Sequence, residues 1–250
     1  MTLVIVGGTG LIGSKLVPVL REQGHDAVPA SPGTGVNTLT GEGLAEVLQG
    51  ASVVVDVSNS PSFEDAAVME FFTTSTRNLL MQAAAAGVRH YVALSIVGTE
   101  RLPDSPYFRA KNAQERLVVG GGIPFSIVHA TQFFEFIERI ADQATDGTTV
   151  RLPPVLIQPM AADDVARAVA RTAVGTPVNG TVEVAGPRPF RFDELIRQVL
   201  GARNDPRTVI ADPQARYFGA ELGERSLIPA GHARLGEIRF EEWLNQPALR

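Results

Sequence analysis

The stretch LVIVGGTGLIG at residues 3–13 decides how this chain begins to fold. Four apolar residues, typical of a buried strand, lead directly into a glycine-rich turn that starts a helix. One glycine would allow the tight turn, a second would let the backbone approach a ligand, and Gly13 would let the helix pack closely on the strand. The N-terminus of that helix would offer unpaired N–H groups to an anion. The stretch therefore predicts a binding site for the pyrophosphate of a dinucleotide.

The composition is that of a globular protein without cysteine chemistry. Of 250 residues, 44% are hydrophobic, 20% are charged and none is cysteine. Disulfides, thiolate nucleophiles and cysteine–metal sites are therefore excluded. The four histidines lie far apart in the sequence, so we expect no metal site. The net charge of −5, with no Lys or Arg from residue 23 to residue 76, argues against nucleic acid as a partner.

Two further features concern the location of the protein. The first predicted strand begins at residue 3, where a signal peptide would have to lie. No apolar run reaches the roughly 18 residues that a membrane-spanning helix needs. Because the lack of cysteine also fits a reducing compartment, we expect a cytoplasmic protein that does not bind a membrane.

Strand-like and helix-like segments alternate along the first 130 residues. Predicted strands lie at residues 3–6, 27–30, 53–57, 90–95 and 125–130. Predicted helices lie at residues 11–23, 43–48, 64–86 and 107–119. This alternation predicts an α/β fold, a doubly wound (Rossmann) parallel sheet with helices on both faces.

The last third of the chain is less regular. Helices are predicted at residues 162–173 and 192–200, and a strand at 181–184, whereas residues 201–238 show weak periodicity. We therefore predict a dinucleotide-binding Rossmann core at residues 1–150. Residues 151–250 would add the remaining sheet elements and a small C-terminal substrate cap, with no linker between the two parts.

A tyrosine and a lysine stand four residues apart in the predicted helix at 107–119, and this spacing places Tyr107 and Lys111 on one helix face. A phenol is a poor acid or base at neutral pH, and a nearby ammonium would lower its pKa. Ser95 ends the fourth strand, at the sheet edge where open α/β sheets bind ligands, and could hold a substrate oxygen. Thr99 is a second candidate for that role.

These motifs together resemble the short-chain dehydrogenase/reductase superfamily, and more closely its atypical NmrA-like branch. The resemblance rests on GGTGLIG at 7–13, AGVRHYVALS at 86–95, YFRAK at 107–111, GIPFSIV at 122–128 and DDVA at 163–166, and covers about the first 185 residues. It implies that Tyr107 is the proton donor or acceptor, that Lys111 is its electrostatic partner and a ribose ligand, and that Ser95 binds the substrate oxygen.

The glycine motif and the resemblance together predict the residues that bind the cofactor. They are Gly7, Gly8, Thr9, Gly10, Leu11, Ile12, Gly13, Ser31, Asn37, Ser58, Asn59 and Lys111. Residues 30–34 contain no acid to grip a ribose diol and no arginine to attract a 2′-phosphate, and Ser31 could bind a phosphate; we favour NADP(H) over NAD(H). Asn37 stands where relatives often carry an aspartate that contacts adenine.

The leading interpretation is an NAD(P)-dependent oxidoreductase that acts on a small carbonyl or alcohol substrate, with Tyr107 as acid or base. One alternative is a dinucleotide sensor without turnover, as in NmrA-like proteins that have lost the tyrosine–lysine pair. Another is a sugar-nucleotide epimerase or dehydratase, whose diphosphate could be bound by cap arginines: Arg188, Arg191, Arg207 and Arg216. The long helix at 64–86 could bury one face in a homodimer or simply cover the sheet.

Overall fold

Seven parallel strands build the central sheet. The computed structural model describes residues 1–245. The strands of the central sheet and of two smaller sheets are, in chain order, β1 (Thr2–Val6), β2 (Asp26–Ala30), β3 (Val53–Asp56), β4 (His90–Ile96), β5 (Phe125–Ala130), β6 (Thr145–Asp146), β7 (Thr149–Leu152), β8 (Leu156–Ile157), β9 (Gly180–Ala185), β10 (Phe190–Arg191), β11 (Thr208–Ala211) and β12 (Arg234–Leu235). The order across the central sheet is β12-β9-β5-β4-β3-β1-β2.

Helices cover both faces of this sheet, as predicted. They are α1 (Gly13–Glu22), α2 (Leu44–Leu48), α3 (Asp65–Ala85), α4 (Pro106–Gly120), α5 (Ile137–Gln143), α6 (Ala162–Val174), α7 (Phe192–Ala202) and α8 (Phe240–Leu244). Side chains alternate between faces along a strand. In β1, Leu3 and Ile5 pack with α1 and α6, whereas Val4 and Val6 pack with α3 and α4. The prediction of a doubly wound α/β fold is therefore confirmed. No helix in residues 1–245 is long and apolar enough to cross a membrane.

The chain reverses direction across the sheet at β1. It places β2 on one side of β1 and then returns to place β3 on the other side. At such a switch point the connections leave the carboxyl ends of neighbouring strands in opposite directions and open a crevice. The glycine turn at residues 7–13 lies at this crevice because it follows β1 directly.

Residues 131–160 and 187–230, here called the cap, pack beside the sheet. The cap contains a three-stranded sheet of β6, β7 and β11 and a two-stranded pair of β8 and β10. Its interior is aromatic and includes Phe134, Phe192 and Tyr217. Between its two segments, α6 and β9 return to the central sheet. The predicted division at residue 150 therefore falls within β7, and residues 246–250 of the predicted second part lie outside the described residues.

Candidate active site

The glycine turn is packed so closely that two of its glycines have no room for a Cβ atom. Gly7 has a φ of +79°, and a Cβ there would lie 2.8 Å from the backbone nitrogen of Ser58. A Cβ on Gly13 would lie 2.2 Å from the carbonyl oxygen of Gly7. No side chain caps the N-terminus of α1. The backbone N–H groups of Ser14 and Lys15 donate to the carbonyl oxygens of Gly10 and Ile12, so the N–H groups that remain for an anion are those of residues 11–13. This arrangement fits the pyrophosphate of a dinucleotide.

A cleft of about 600 Å³ runs from this turn to the cap. The predicted cofactor-binding and catalytic residues line it except Gly8 and Gly13, which lie beneath the turn, and the second candidate Thr99 does not line it either. The structure therefore brings Tyr107 and Lys111 of α4 into the same cleft as the glycine turn. Gln132 and Arg139 of the cap also line it.

Tyr107 lies in a ring of aromatic side chains. Its centroid is 5.5 Å from that of Phe63, 5.9 Å from that of Phe72 and 6.4 Å from that of Phe218. Its hydroxyl donates a hydrogen bond to Oδ1 of Asn59 at 3.2 Å. Burial among these rings raises the pKa of the Tyr107 phenol, because charged phenolate is poorly solvated there. Tyr107 is therefore protonated at neutral pH.

Lys111 is buried, and its ammonium is directed into the protein. Nζ donates to the carbonyl oxygen of Leu94 at 2.8 Å and to Oε1 of Gln114, and lies 4.5 Å from the centre of the Phe72 ring. Burial lowers the pKa of Lys111 to about 8, although the carboxylates of Asp56 and Glu115 oppose this effect.

The expected effect of this lysine on the tyrosine differs from the observed one. We expected the Lys111 ammonium to lower the pKa of Tyr107, but the structure places that ammonium on Leu94 and Gln114. Desolvation by the surrounding rings then dominates the pKa of Tyr107 and raises it.

Ser95 is held by a buried carboxylate. Its hydroxyl donates to Oε1 of Glu115, Thr99 donates to Oε2 at 3.4 Å, and Nε2 of His129 lies 3.0 Å from Oε1. Burial alone would raise the pKa of Glu115, but His129, Ser95 and Lys111 together outweigh it and lower this pKa. The Ser95 hydroxyl could donate to a substrate oxygen only after its hydrogen bond to Glu115 is broken.

The residues predicted to bind the adenosine differ in whether their polar side-chain atoms already have hydrogen-bond partners. The hydroxyl of Ser31 is buried without a hydrogen-bond partner. Oδ1 of Asn37 accepts the backbone N–H of Leu39 at 2.9 Å and so fixes a turn. The hydroxyl of Ser58 donates to Oδ1 of Asp56 at 2.6 Å. Ser31 therefore offers an unused polar group to a ligand, whereas the Asn37 oxygen and the Ser58 hydroxyl are already engaged.

Sequence reasoning missed the polar residues that support Lys111. Nε2 of Gln114 donates to Oδ2 of Asp56 at 2.9 Å, so the two connect Lys111 to the end of β3. A signal for them was present. Gln114 and Glu115 follow Lys111 by three and four residues, which places them on the same side of a helix, and Asp56 ends an otherwise apolar strand.

Comparison with solved structures identifies the architecture. A short-chain dehydrogenase/reductase superfamily protein from Agrobacterium tumefaciens, solved with bound NAD, superposes with a TM-score of 0.75 at 18% identity, covering 100% of this chain and 96% of that one. This chain has the fold of a short-chain dehydrogenase/reductase. A dTDP-glucose 4,6-dehydratase from Streptomyces venezuelae, solved with NAD, has the same fold with a TM-score of 0.74 at 16% identity, covering 97% of this chain and 94% of that one.

Two curated relatives align with most of this chain. A reductase of (4-alkanoyl-5-oxo-2,5-dihydrofuran-3-yl)methyl phosphate from Streptomyces griseus is 27% identical over 284 aligned positions, which cover 96% of each chain. The photosystem II assembly factor Ycf39 of Synechocystis is 23% identical over 217 residues, or 79% of this chain and 66% of that protein. Both are atypical, NmrA-like short-chain dehydrogenases/reductases, so the resemblance seen in the motifs is confirmed. No family model matches the chain.

Proposed function

We propose that this chain is an NAD(P)-dependent oxidoreductase that transfers a hydride between a nicotinamide and a small carbonyl or alcohol. The observation that carries the proposal is the position of Tyr107 and Lys111. Both line the same cleft as the glycine turn, which leads into the uncapped N-terminus of α1. A phenol that can move a proton and a site for a dinucleotide are the two parts that such a reaction requires.

The glycine turn and α1 would bind the pyrophosphate of the cofactor. Ser31, Asn37 and Asn59 line the part of the cleft assigned to the adenosine. Lys111 would hydrogen-bond the nicotinamide ribose with the donor that Leu94 and Gln114 leave unused. When bound, the nicotinamide supplies or accepts a hydride at C4.

Tyr107 would move the proton that accompanies the hydride. In reduction, the Tyr107 hydroxyl leaves Asn59 and donates its proton to the carbonyl oxygen while the hydride adds to the carbonyl carbon. The product is an alcohol, and the phenolate that remains is reprotonated from solvent. Burial supports the reductive direction, because it keeps the phenol protonated before the step.

The unpartnered hydroxyl of Ser31 supports NADP(H) as the preferred cofactor. It lines the cleft on the loop after β2, and residues 30–34 carry no carboxylate that would repel a 2′-phosphate.

A homodimer also stays a proposal, and size-exclusion chromatography with light scattering tests it.

The two alternatives receive less support. The cap arginines that could bind a sugar-nucleotide diphosphate are ion-paired instead, and none of them lines the cleft. Their partners are carboxylates: Glu241 for Arg188, Glu224 for Arg191, Asp142 for Arg207 and Glu221 for Arg216. A sensor without turnover would need neither Tyr107 nor Lys111 in the cleft. The proposed reductase is also the activity named for the relative from Streptomyces griseus.

The test compares wild type, Tyr107→Phe and Tyr217→Phe. Oxidation of NADPH and NADH is followed at 340 nm with a panel of aldehydes, ketones and quinones, and cofactor binding is measured by thermal shift. We expect Tyr107→Phe to lose about 10²-fold or more of the turnover and to bind cofactor as wild type does. Tyr217→Phe, which removes a second phenol from the wall of the same cleft, should retain most of it. Equal binding with no turnover in any protein would favour the sensor.

A further inference from the structure

We infer that the carbonyl substrate carries an anionic group, and that Arg139 binds this group at the mouth of the cleft. The inference rests on the proposed function, because it names the class of substrate that the oxidoreductase would take. It follows from the charges that line the cleft, from the contacts of Arg139 and from a buried amide in the same cleft.

The charged side chains that line the cleft are basic, although the chain is acidic. The chain has a net charge of −5, yet the charged side chains among the described residues of the cleft wall are Lys111 and Arg139, with no Asp or Glu. Lys111 is buried and bonded to Leu94 and Gln114. Arg139 is therefore the cation that the wall presents to a substrate.

Arg139 lies on α5 and differs from the other arginines of the cap. Arg188, Arg191, Arg207 and Arg216 each form an ion pair, whereas Arg139 forms none with a carboxylate in residues 1–245. Its guanidinium instead lies over the ring of Phe63, 4.6 Å from the ring centre. A cation–π contact of this kind uses no N–H donor of the guanidinium, so these donors remain for a planar anion.

Phe63 connects this cation to the proposed proton donor. The same ring that carries Arg139 packs against Tyr107, with their centroids 5.5 Å apart, and against Phe218 at 6.1 Å. A carbonyl at Tyr107 and an anion at Arg139 would therefore lie on two groups that contact the same aromatic ring. An aryl or short alkyl body would fit between them, because the intervening wall is aromatic.

The amide of Gln132 gives an independent sign that polar ligand atoms enter this part of the cleft. Gln132 is 5% exposed and lines the cleft beside Tyr217. Its amide interacts with the Tyr217 hydroxyl, and no other protein group in residues 1–245 hydrogen-bonds to its side-chain nitrogen or oxygen. Because a buried amide with unused donors and acceptors is costly, a second polar group of the substrate would satisfy it.

A matched pair of aldehydes tests the inference. 4-Formylbenzoate and its methyl ester share one skeleton and differ in charge, and both are offered with NADPH to wild type, Arg139→Ala and Arg171→Ala. Arg171 is an exposed arginine on α6, outside the cleft, so its removal changes the net charge equally. We expect wild type to prefer the carboxylate, and Arg139→Ala to lose about tenfold or more of kcat/KM for the carboxylate alone, since charge-assisted hydrogen bonds are strong. Arg171→Ala should change neither.

Several results would overturn the inference. They are equal kcat/KM for both aldehydes in wild type, an equal loss for both in Arg139→Ala, and a loss of NADPH affinity in that variant. If neither aldehyde is reduced, the proposed function is tested with the panel of aldehydes, ketones and quinones described above. Calorimetry of 4-formylbenzoate with the NADP⁺ complex then decides the present inference: binding that Arg139→Ala abolishes supports it, and no binding to wild type overturns it.

Discussion

The sheet half of the molecule and the cap use charged residues in opposite ways. In the sheet half, Asp56, Lys111 and Glu115 are buried beneath the cleft, and each has several hydrogen-bond partners. In the cap, arginines and carboxylates such as Arg216 and Glu221 pair at the exposed surface. Burial makes an unpaired charge costly, whereas water screens an exposed pair. Substitutions in the sheet half should therefore change the free energy of unfolding strongly, and substitutions at the cap surface should change it little.

The largest effect should come from the glycine turn. In Gly13→Ala the new Cβ would lie 2.2 Å from the carbonyl oxygen of Gly7, a backbone atom that can move only if the whole turn shifts. We expect the free energy of unfolding to fall by about 3 kcal/mol or more, and NADPH binding to weaken because the turn must shift. Urea unfolding and thermal shift with NADPH measure the two effects.

A second glycine provides the control. Gly201 lies in α7, and a Cβ there would meet no atom within 4 Å. Gly201→Ala should stabilise the protein by about 0.5–1 kcal/mol, since alanine favours a helix. If Gly13→Ala were as stable and bound NADPH as tightly as wild type, the close approach of α1 to the turn would not matter.

The next effect is the pH dependence that Lys111 causes. Its pKa is lowered to about 8 by burial, so between about pH 8 and 10.5 the folded protein loses a proton that the unfolded chain keeps. Stability therefore rises with pH in this window. Relative to Lys111→Met, wild type should gain about 3 kcal/mol of unfolding free energy between pH 7.5 and 10.5.

Titration of the lysine itself sharpens this prediction. The chain contains two lysines, Lys15 and Lys111. Reductive ¹³C-methylation therefore gives two lysine NMR signals besides that of the N-terminal amine, and the partly exposed Lys15 serves as an internal reference. A Lys111 signal that titrates near pH 10.5 would contradict the burial effect.

A moderate effect is expected from Glu115→Gln. The change removes the negative charge that accepts hydrogen bonds from Ser95 and Thr99 and pairs with His129, at a cost of about 2 kcal/mol at pH 7. Because the pKa of Glu115 is lowered in the folded protein, its contribution is present above the pKa of an ordinary carboxyl and is lost as pH falls through the lowered value. Urea unfolding at pH 7 and pH 3 should show this difference shrink. Glu70→Gln, at an exposed position of α3, should change little at either pH.

The smallest effect should come from the cap surface. Arg216 and Glu221 form an ion pair of 2.6 Å whose side chains are 55% and 75% exposed. Arg216→Ala should lower the free energy of unfolding by less than about 0.5 kcal/mol. A loss in urea unfolding as large as that of Glu115→Gln would break the comparison between the two halves.

Prediction from the sequence was most successful where the structure is local. The strand at Phe125–Ala130 matches its predicted bounds, and α3 and α4 differ from theirs by one residue at each end, because continuous apolar strands and helices that are followed by glycine carry their own signals. The short strands β6, β8 and β10 were not predicted. A strand of two residues depends on partners distant in the sequence, such as Ile157 for Phe190, and has no period of its own.

The sequence by itself determined the glycine turn, the α/β alternation and the presence of Tyr107 and Lys111 on one helix, because each depends on neighbours within a few residues. Tertiary structure decided what those side chains contact. The packing of α4 against β3 and β4 joins Lys111 to Gln114 and Asp56, and Ser95 to Glu115, and the cap brings Arg139 onto Phe63. Such contacts join residues up to 76 positions apart, and their energies depend on burial, which exists only once the chain has folded.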